Sequence, residues 1–123
     1  MTNQEASNLY GRYVEAWKAV SDEERRAVIE EVIDANVRYS TPQHESGARQ
    51  TIVADIEGFQ EKFPGGRFDV GDVSAHHDTA LLTWILIDAQ EKELARGHDQ
   101  IVVSSTGQIV ALTTFAPSVV VEP

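Results

Sequence analysis

The sequence predicts an α+β protein, and three observations carry that reading. Apolar residues recur at helical spacing through the first half of the chain, the period falls to two after Gly66, and the helices stand together ahead of the strands. Alternation of the two would indicate a doubly wound parallel sheet instead. The 123 residues, 41% of them hydrophobic, suffice for one domain over 1–123 with its own core and leave no room for a second.

Each element has its own signal. Leu9, Tyr13, Ala16, Trp17 and Val20 form a stripe that predicts a first helix over 3–20, opened by a Thr2/Glu5 capping box. A second such box, Ser21 to Glu24, starts a second helix whose Val28, Ile29, Val32 and Ile33 share a face. Asn36 to Ser40 reads as a short extended piece stopped by Thr41-Pro42, because proline has no N–H to donate and disfavours helix in the residue before it. Residues 43–47, "QHESG", are expected to be a loop. Ile52, Ile56, Phe59 and Phe63 mark a third amphipathic helix from Ala48 to Phe63, closed by Pro64-Gly65-Gly66. Strands are expected at Arg67–Ala75, Ala80–Asp88, Leu94–Ser104 and Gln108–Ala116, an antiparallel meander joined by short turns. The tail "PSVVVEP" is read as an edge segment or a frayed end.

Composition narrows the function. The absence of cysteine excludes a disulfide framework and a thiolate metal site. A formal net charge of -10 disfavours nucleic acid and anionic membrane surfaces, both of which need clustered Lys and Arg. No apolar run approaches membrane-spanning length and the start is polar and acidic, unlike a signal peptide, so a cytoplasmic protein is expected. His76-His77-Asp78 reads as a turn, since adjacent residues seldom converge on one ion, and neither a metal nor a cofactor is expected.

Two strands are apolar on both faces. Leu82, Trp84 and Leu86 oppose Leu81, Thr83, Ile85 and Ile87 in the second; Ile109, Ala111 and Phe115 oppose Val110, Leu112 and Ala116 in the last. A sheet with one wet face alternates apolar with polar. The expectation is that helices cover the concave face and a second copy of the chain covers the convex face, as an isologous homodimer.

The order helix, helix, strand, helix, then meander resembles the nuclear transport factor 2-like superfamily, in particular its SnoaL-like branch. The matching pieces are "RYVEAW", "VRYSTP", "FPGGRF", "HHDTALLTW", "RGHDQIVV" and "STGQIVALTTF", which span nearly the whole chain. The resemblance implies a cone-shaped α+β barrel, also called cystatin-like, with three N-terminal helices on a curved antiparallel sheet around an apolar pocket. It also implies a small apolar organic ligand, and cofactor-independent chemistry of the ketosteroid isomerase, polyketide cyclase or lyase type.

Within that frame Asp99 falls on the pocket side of its strand and Tyr13 on the inward stripe of the first helix. They look like the tyrosine and aspartic acid that polarise the carbonyl oxygen in ketosteroid isomerase, the standard example of a carboxylic acid kept neutral by an apolar site. A buried aspartate without a cationic neighbour has a raised pKa and donates a hydrogen bond when protonated. The sequence departs from its relatives where many carry Asp-Pro: Thr41-Pro42 stands there, and a hydroxyl is no base at neutral pH without an activating group. His44, just beyond, has a suitable pKa to replace it. Trp84, Leu86 and Thr114 stand where the epoxide-hydrolase relatives place their arginine and aspartates, so that set is missing. The candidate catalytic residues are Asp99, Tyr13 and His44, and the candidate pocket lining is Trp17, Phe59, Leu82, Trp84, Ile101, Leu112 and Thr114. The alternative is a non-catalytic binding or interaction module with a vestigial pocket.

Overall fold

Side-chain caps begin the first two helices. Thr2 Oγ1 accepts from Glu5 N at 3.0 Å while Thr2 N donates to Glu5 Oε1 at 2.9 Å, which opens α1 (Asn3–Glu15). Ser21 Oγ accepts from Glu24 N at 3.1 Å and opens α2 (Asp22–Val32). The structure is a computed structural model and describes residues 1–118. Most of the tail, where an edge segment was a possibility, therefore lies outside the described residues.

Helix α1 ends at Glu15, not at the expected Val20. The buried Arg25 of α2 takes the carbonyls that follow: its Nε donates to Ala16 O at 3.0 Å, and its Nη2 to Lys18 O at 3.1 Å and Val20 O at 3.4 Å. Gln60 Nε2 donates to Trp17 O at 2.6 Å. With these partners the chain can leave the helix without burying unpaired carbonyls.

Strand β1 (Ile33–Thr41) follows α2 directly, so the extended segment starts before Asn36. The segment expected as a loop is a short strand, β2 (His44–Gly47), antiparallel to β1 with Thr41 opposite His44. Thr41 Oγ1 causes the reversal, accepting from both Gln43 N and His44 N at 3.1 Å. Helix α3 (Arg49–Lys62) crosses to β3 (Arg67–His76), β4 (Thr79–Ile87), β5 (Glu93–Val103) and β6 (Ile109–Phe115), close to the expected bounds.

The six strands form one sheet in the order β2-β1-β6-β5-β4-β3. The pair β1 and β6 is parallel and the other neighbours are antiparallel, so the sheet is mixed at that one seam. It curls without closing into a barrel. Register shifts at Val70–Val73, Leu86–Ile87 and Val102–Val103 bend the strands, since an unpaired residue sharpens local twist. The last of these also changes a phase. Ile109, expected on the outer face with Ala111 and Phe115, is fully buried with Leu112 because Val110 is the extra residue in β6.

Helices α1, α2 and α3 cover the concave side over a core that includes Tyr10, Ile29, Ile33, Ile52, Ile56, Leu82, Ile101 and Leu112. Among the described residues no helix is long and apolar enough to cross a membrane.

Candidate functional site

The core does not fill the whole concavity. A cavity of about 730 Å³ opens between α1, α3 and the curled sheet. Tyr10, Tyr13 and Trp17 climb one face of α1 and its exit into it, because positions three and four apart stack on one side of a helix. Phe59 comes from α3 and Phe63 from its C-terminal cap, Phe68 from β3, and Trp84, Asp99 and Thr114 from β4, β5 and β6. The aromatic rings pack edge to face, with centroids 5.7 Å apart for Trp17 and Phe59, 5.3 Å for Trp17 and Phe68, and 5.4 Å for Phe68 and Trp84. The wall is mostly apolar, and its polar groups are few.

Among the described residues Asp99 is the most buried of the acids, 5% exposed. Its strand register sets it opposite Leu82 and Thr114, facing the helices. Tyr10 Oη donates to Asp99 Oδ2 at 2.6 Å, and Oδ1 is left without a partner. The Thr114 hydroxyl and the Trp84 indole act on the carboxylate without bonds of good geometry. Burial pushes the Asp99 pKa up to about 6, and hydrogen bonding from Tyr10 holds it from rising further. The expected shift is present, but at pH 7 the ionised form still predominates, and the acid becomes a donor only near pH 6 and below.

Tyr10, not Tyr13, is the partner of Asp99. The stripe read along the first helix passed through Leu9 and Tyr13 and missed Tyr10, although Tyr10 lies one turn before Tyr13. Tyr13, 2% exposed, lines the same cavity, with the Trp17 side chain near its hydroxyl. Burial, then the charge of Asp99, raises its pKa, and Asp55 adds to this, so the phenol stays a donor.

Of the expected lining, Trp17, Phe59, Trp84 and Thr114 are on the wall. Leu82, Ile101 and Leu112 are not; each is 0% exposed. They have the expected facing, but Ile101 and Leu112 form a row further along the sheet from Asp99, and the core closes over all three. His44 is also off the wall: its Nε2–H donates to Asp55 Oδ1 at 3.0 Å. Asp55 itself lines the cavity from α3, and Tyr39 Oη donates to its Oδ2 at 2.7 Å. Asp55 was legible as an acid inside an apolar stripe, three residues after Ile52 and four before Phe59. Pro42 and Gln43 form an exposed part of the rim.

No protein-family model matches the chain and no curated protein is similar to it. Solved structures are. A proposed isomerase of the SnoaL-like family from Agrobacterium tumefaciens is 28% identical with a TM-score of 0.82, over 91% of this chain and 97% of that one. A proposed SnoaL-like polyketide cyclase from Jannaschia sp. is 17% identical with a TM-score of 0.74, over 92% and 85%. IdmH, a proposed polyketide cyclase from Streptomyces antibioticus, is 16% identical with a TM-score of 0.71, over 89% of each chain. At their identities the last two speak for the fold.

Proposed function

Since the chain belongs to the SnoaL-like branch of the nuclear transport factor 2-like superfamily, we propose that it binds a small apolar carbonyl compound and catalyses proton transfer beside that carbonyl, as an isomerase or cyclase does. One observation carries this reading: an apolar cavity lined by the buried Tyr13 phenol holds a carboxyl, Asp99, with an unpartnered oxygen. An unpartnered buried carboxyl oxygen is costly to keep, and once Asp99 is protonated a ligand oxygen would satisfy it by accepting its hydrogen bond.

In this mechanism the substrate carbonyl accepts a hydrogen bond from Tyr13 Oη and a second from Asp99 in its protonated form. When the α-proton leaves, the C–H pair becomes the C=C bond of the enolate and the carbonyl pair moves onto oxygen. Donors already aimed at that oxygen stabilise the charge with little rearrangement. Reprotonation at another carbon gives an isomer; attack of the enolate carbon on a second carbonyl gives a ring. Tyr10 holds Asp99 in place from behind. Nothing in the cavity favours a vestigial module.

The test uses 2-tetralone, an apolar ketone, with tryptophan fluorescence reporting binding, because Trp17 and Trp84 line the cavity. Wild type is expected to bind it and to exchange its α-protons for deuterium in D2O faster than buffer does. At pH 5, where Asp99 is mostly protonated, Tyr13→Phe and Asp99→Leu should each weaken binding about tenfold or more. Binding that neither substitution changes would refute the reading.

A further inference from the structure

We infer that Asp55 is the base that takes the substrate's proton, held in position by Tyr39 and His44. This rests on the proposed carbonyl chemistry and names the one group that chemistry leaves unassigned.

Among the described residues two carboxylates line the cavity, and they are held in different ways. Asp99 is buried and has one oxygen bonded to Tyr10. Asp55 is on α3 with 28% of its side chain exposed, so a substrate in the cavity can reach it. Its two oxygens each accept one hydrogen bond, 2.7 Å from Tyr39 Oη and 3.0 Å from His44 Nε2. A carboxylate offers about four acceptor positions, so both bonds leave lone pairs for a proton. They also fix its direction, because Tyr39 is 3% exposed and its ring is locked in the core.

Other groups at the cavity are unsuited. Thr41 Oγ1 is already the acceptor for two backbone N–H groups of the β1–β2 turn. His44 does not reach the wall and uses Nε2 on Asp55. Its position makes it a positioning residue for Asp55, which explains why a loop-like segment is pinned as a strand beside β1. Tyr13 feels the charge of both Asp99 and Asp55, so its hydroxyl lies within electrostatic reach of each. A ketone bonded to Tyr13 would then have oxygen-binding groups on one side and a proton acceptor on another. The step balances: Asp55 gains the α-proton, the enolate holds the electron pair at Tyr13 and Asp99, and Asp55 returns the proton at the new carbon.

The experiment compares Asp55→Asn with wild type, following both 2-tetralone binding and deuterium exchange. The expected result is binding within about threefold of wild type and exchange lowered by a hundredfold or more, the usual contribution of a general base. Asp55→Ala is the second variant, in which added formate should restore part of the exchange, a rescue that a purely structural residue would not show. Exchange by Asp55→Asn within threefold of wild type overturns the inference and leaves the carbonyl-binding reading standing. Loss of binding together with exchange, without formate rescue, also overturns it, because Asp55 is then structural. Wild-type protein that binds 2-tetralone without exchanging its protons overturns the assignment of the base, and wild-type protein that fails to bind it overturns both readings.

Discussion

Asp99 shows at the level of one residue how a site can work against its own fold. With its pKa raised from an ordinary 3.8 to about 6, chiefly by burial, the folded protein binds the Asp99 proton more tightly than the unfolded chain does. Between about pH 4 and 6 the folded state therefore carries more protons, and its stability falls as pH rises. The ionised group costs about 3 kcal/mol at neutral pH, a cost that is absent below pH 4. Asp99→Asn should be more stable than wild type at pH 7 by an amount that shrinks toward pH 4, as denaturant titrations at both values would show; a pH-independent difference would contradict the burial argument. The same protonation should strengthen 2-tetralone binding as pH falls from 7.5 to 5, because a ketone oxygen accepts from the acid and is repelled by the carboxylate. Fluorescence titration of wild type against Asp99→Asn isolates that effect, and an affinity that rises with pH would rule out the donor role. The sequence made this residue legible because an aspartate in an apolar strand is anomalous. It did not make Tyr10 legible as the partner, because the three tyrosines near the cavity are interchangeable by type, and only the folded geometry decides which hydroxyl meets Oδ2.

At the level of elements, periodicity was enough where one face of a segment is buried, and insufficient where backbone groups are satisfied from far away. The third helix and the four meander strands were readable from the spacing of Ile52, Ile56 and Phe59 and from the twofold pattern after Gly66. The end of α1 was not, since it depends on Arg25, an arginine of another helix that sequence alone marks as solvent-facing. Arg25→Met removes the bonds to the carbonyls of Ala16, Lys18 and Val20 while keeping much of the side-chain volume. The expected loss is about 1–3 kcal/mol in chemical denaturation, since the buried Ala16 carbonyl is left unpaired. A change below about 0.5 kcal/mol would show that water replaces the guanidinium. Strand β5 contains a second dependence of this kind. Gly97 lies opposite Trp84, and a Cβ there would overlap the indole ring and sit 2.5 Å from Phe115 O. Gly97→Ala should displace Trp84 into the cavity and lower 2-tetralone affinity more than it lowers stability, whereas unchanged affinity would place the ring elsewhere. The short β2 was hidden because its residues are polar; the hydroxyl of Thr41 specifies it, and no apolar pattern does.

Across the whole molecule the open question is what covers the convex side of the sheet. Leu81 on β4, Leu94 on β5 and Phe115 on β6 are 47%, 40% and 53% exposed. Each neighbours a residue that faces inward, Leu82, Ala95 and Thr114, so strand alternation puts all three on the outer face. The double-sided pattern in the sequence was the reason to expect a second copy there, and a single chain leaves that proposal to experiment. An isologous pair would have to bury about 800 Å² per partner to be stable. It would also bring together two chains of net charge -10 each, and their repulsion weakens as salt screens it. Light scattering at micromolar concentration should therefore give about twice the 13.6 kDa chain mass, with dissociation easier at 20 mM salt than at 300 mM, conditions whose screening lengths differ about fourfold. Phe115→Glu should produce monomers that still bind 2-tetralone, because the substituted side chain faces away from the cavity. A monomeric wild type at both salt concentrations would rule out the dimer without touching the site, and a dimer untouched by Phe115→Glu would move the interface to another face.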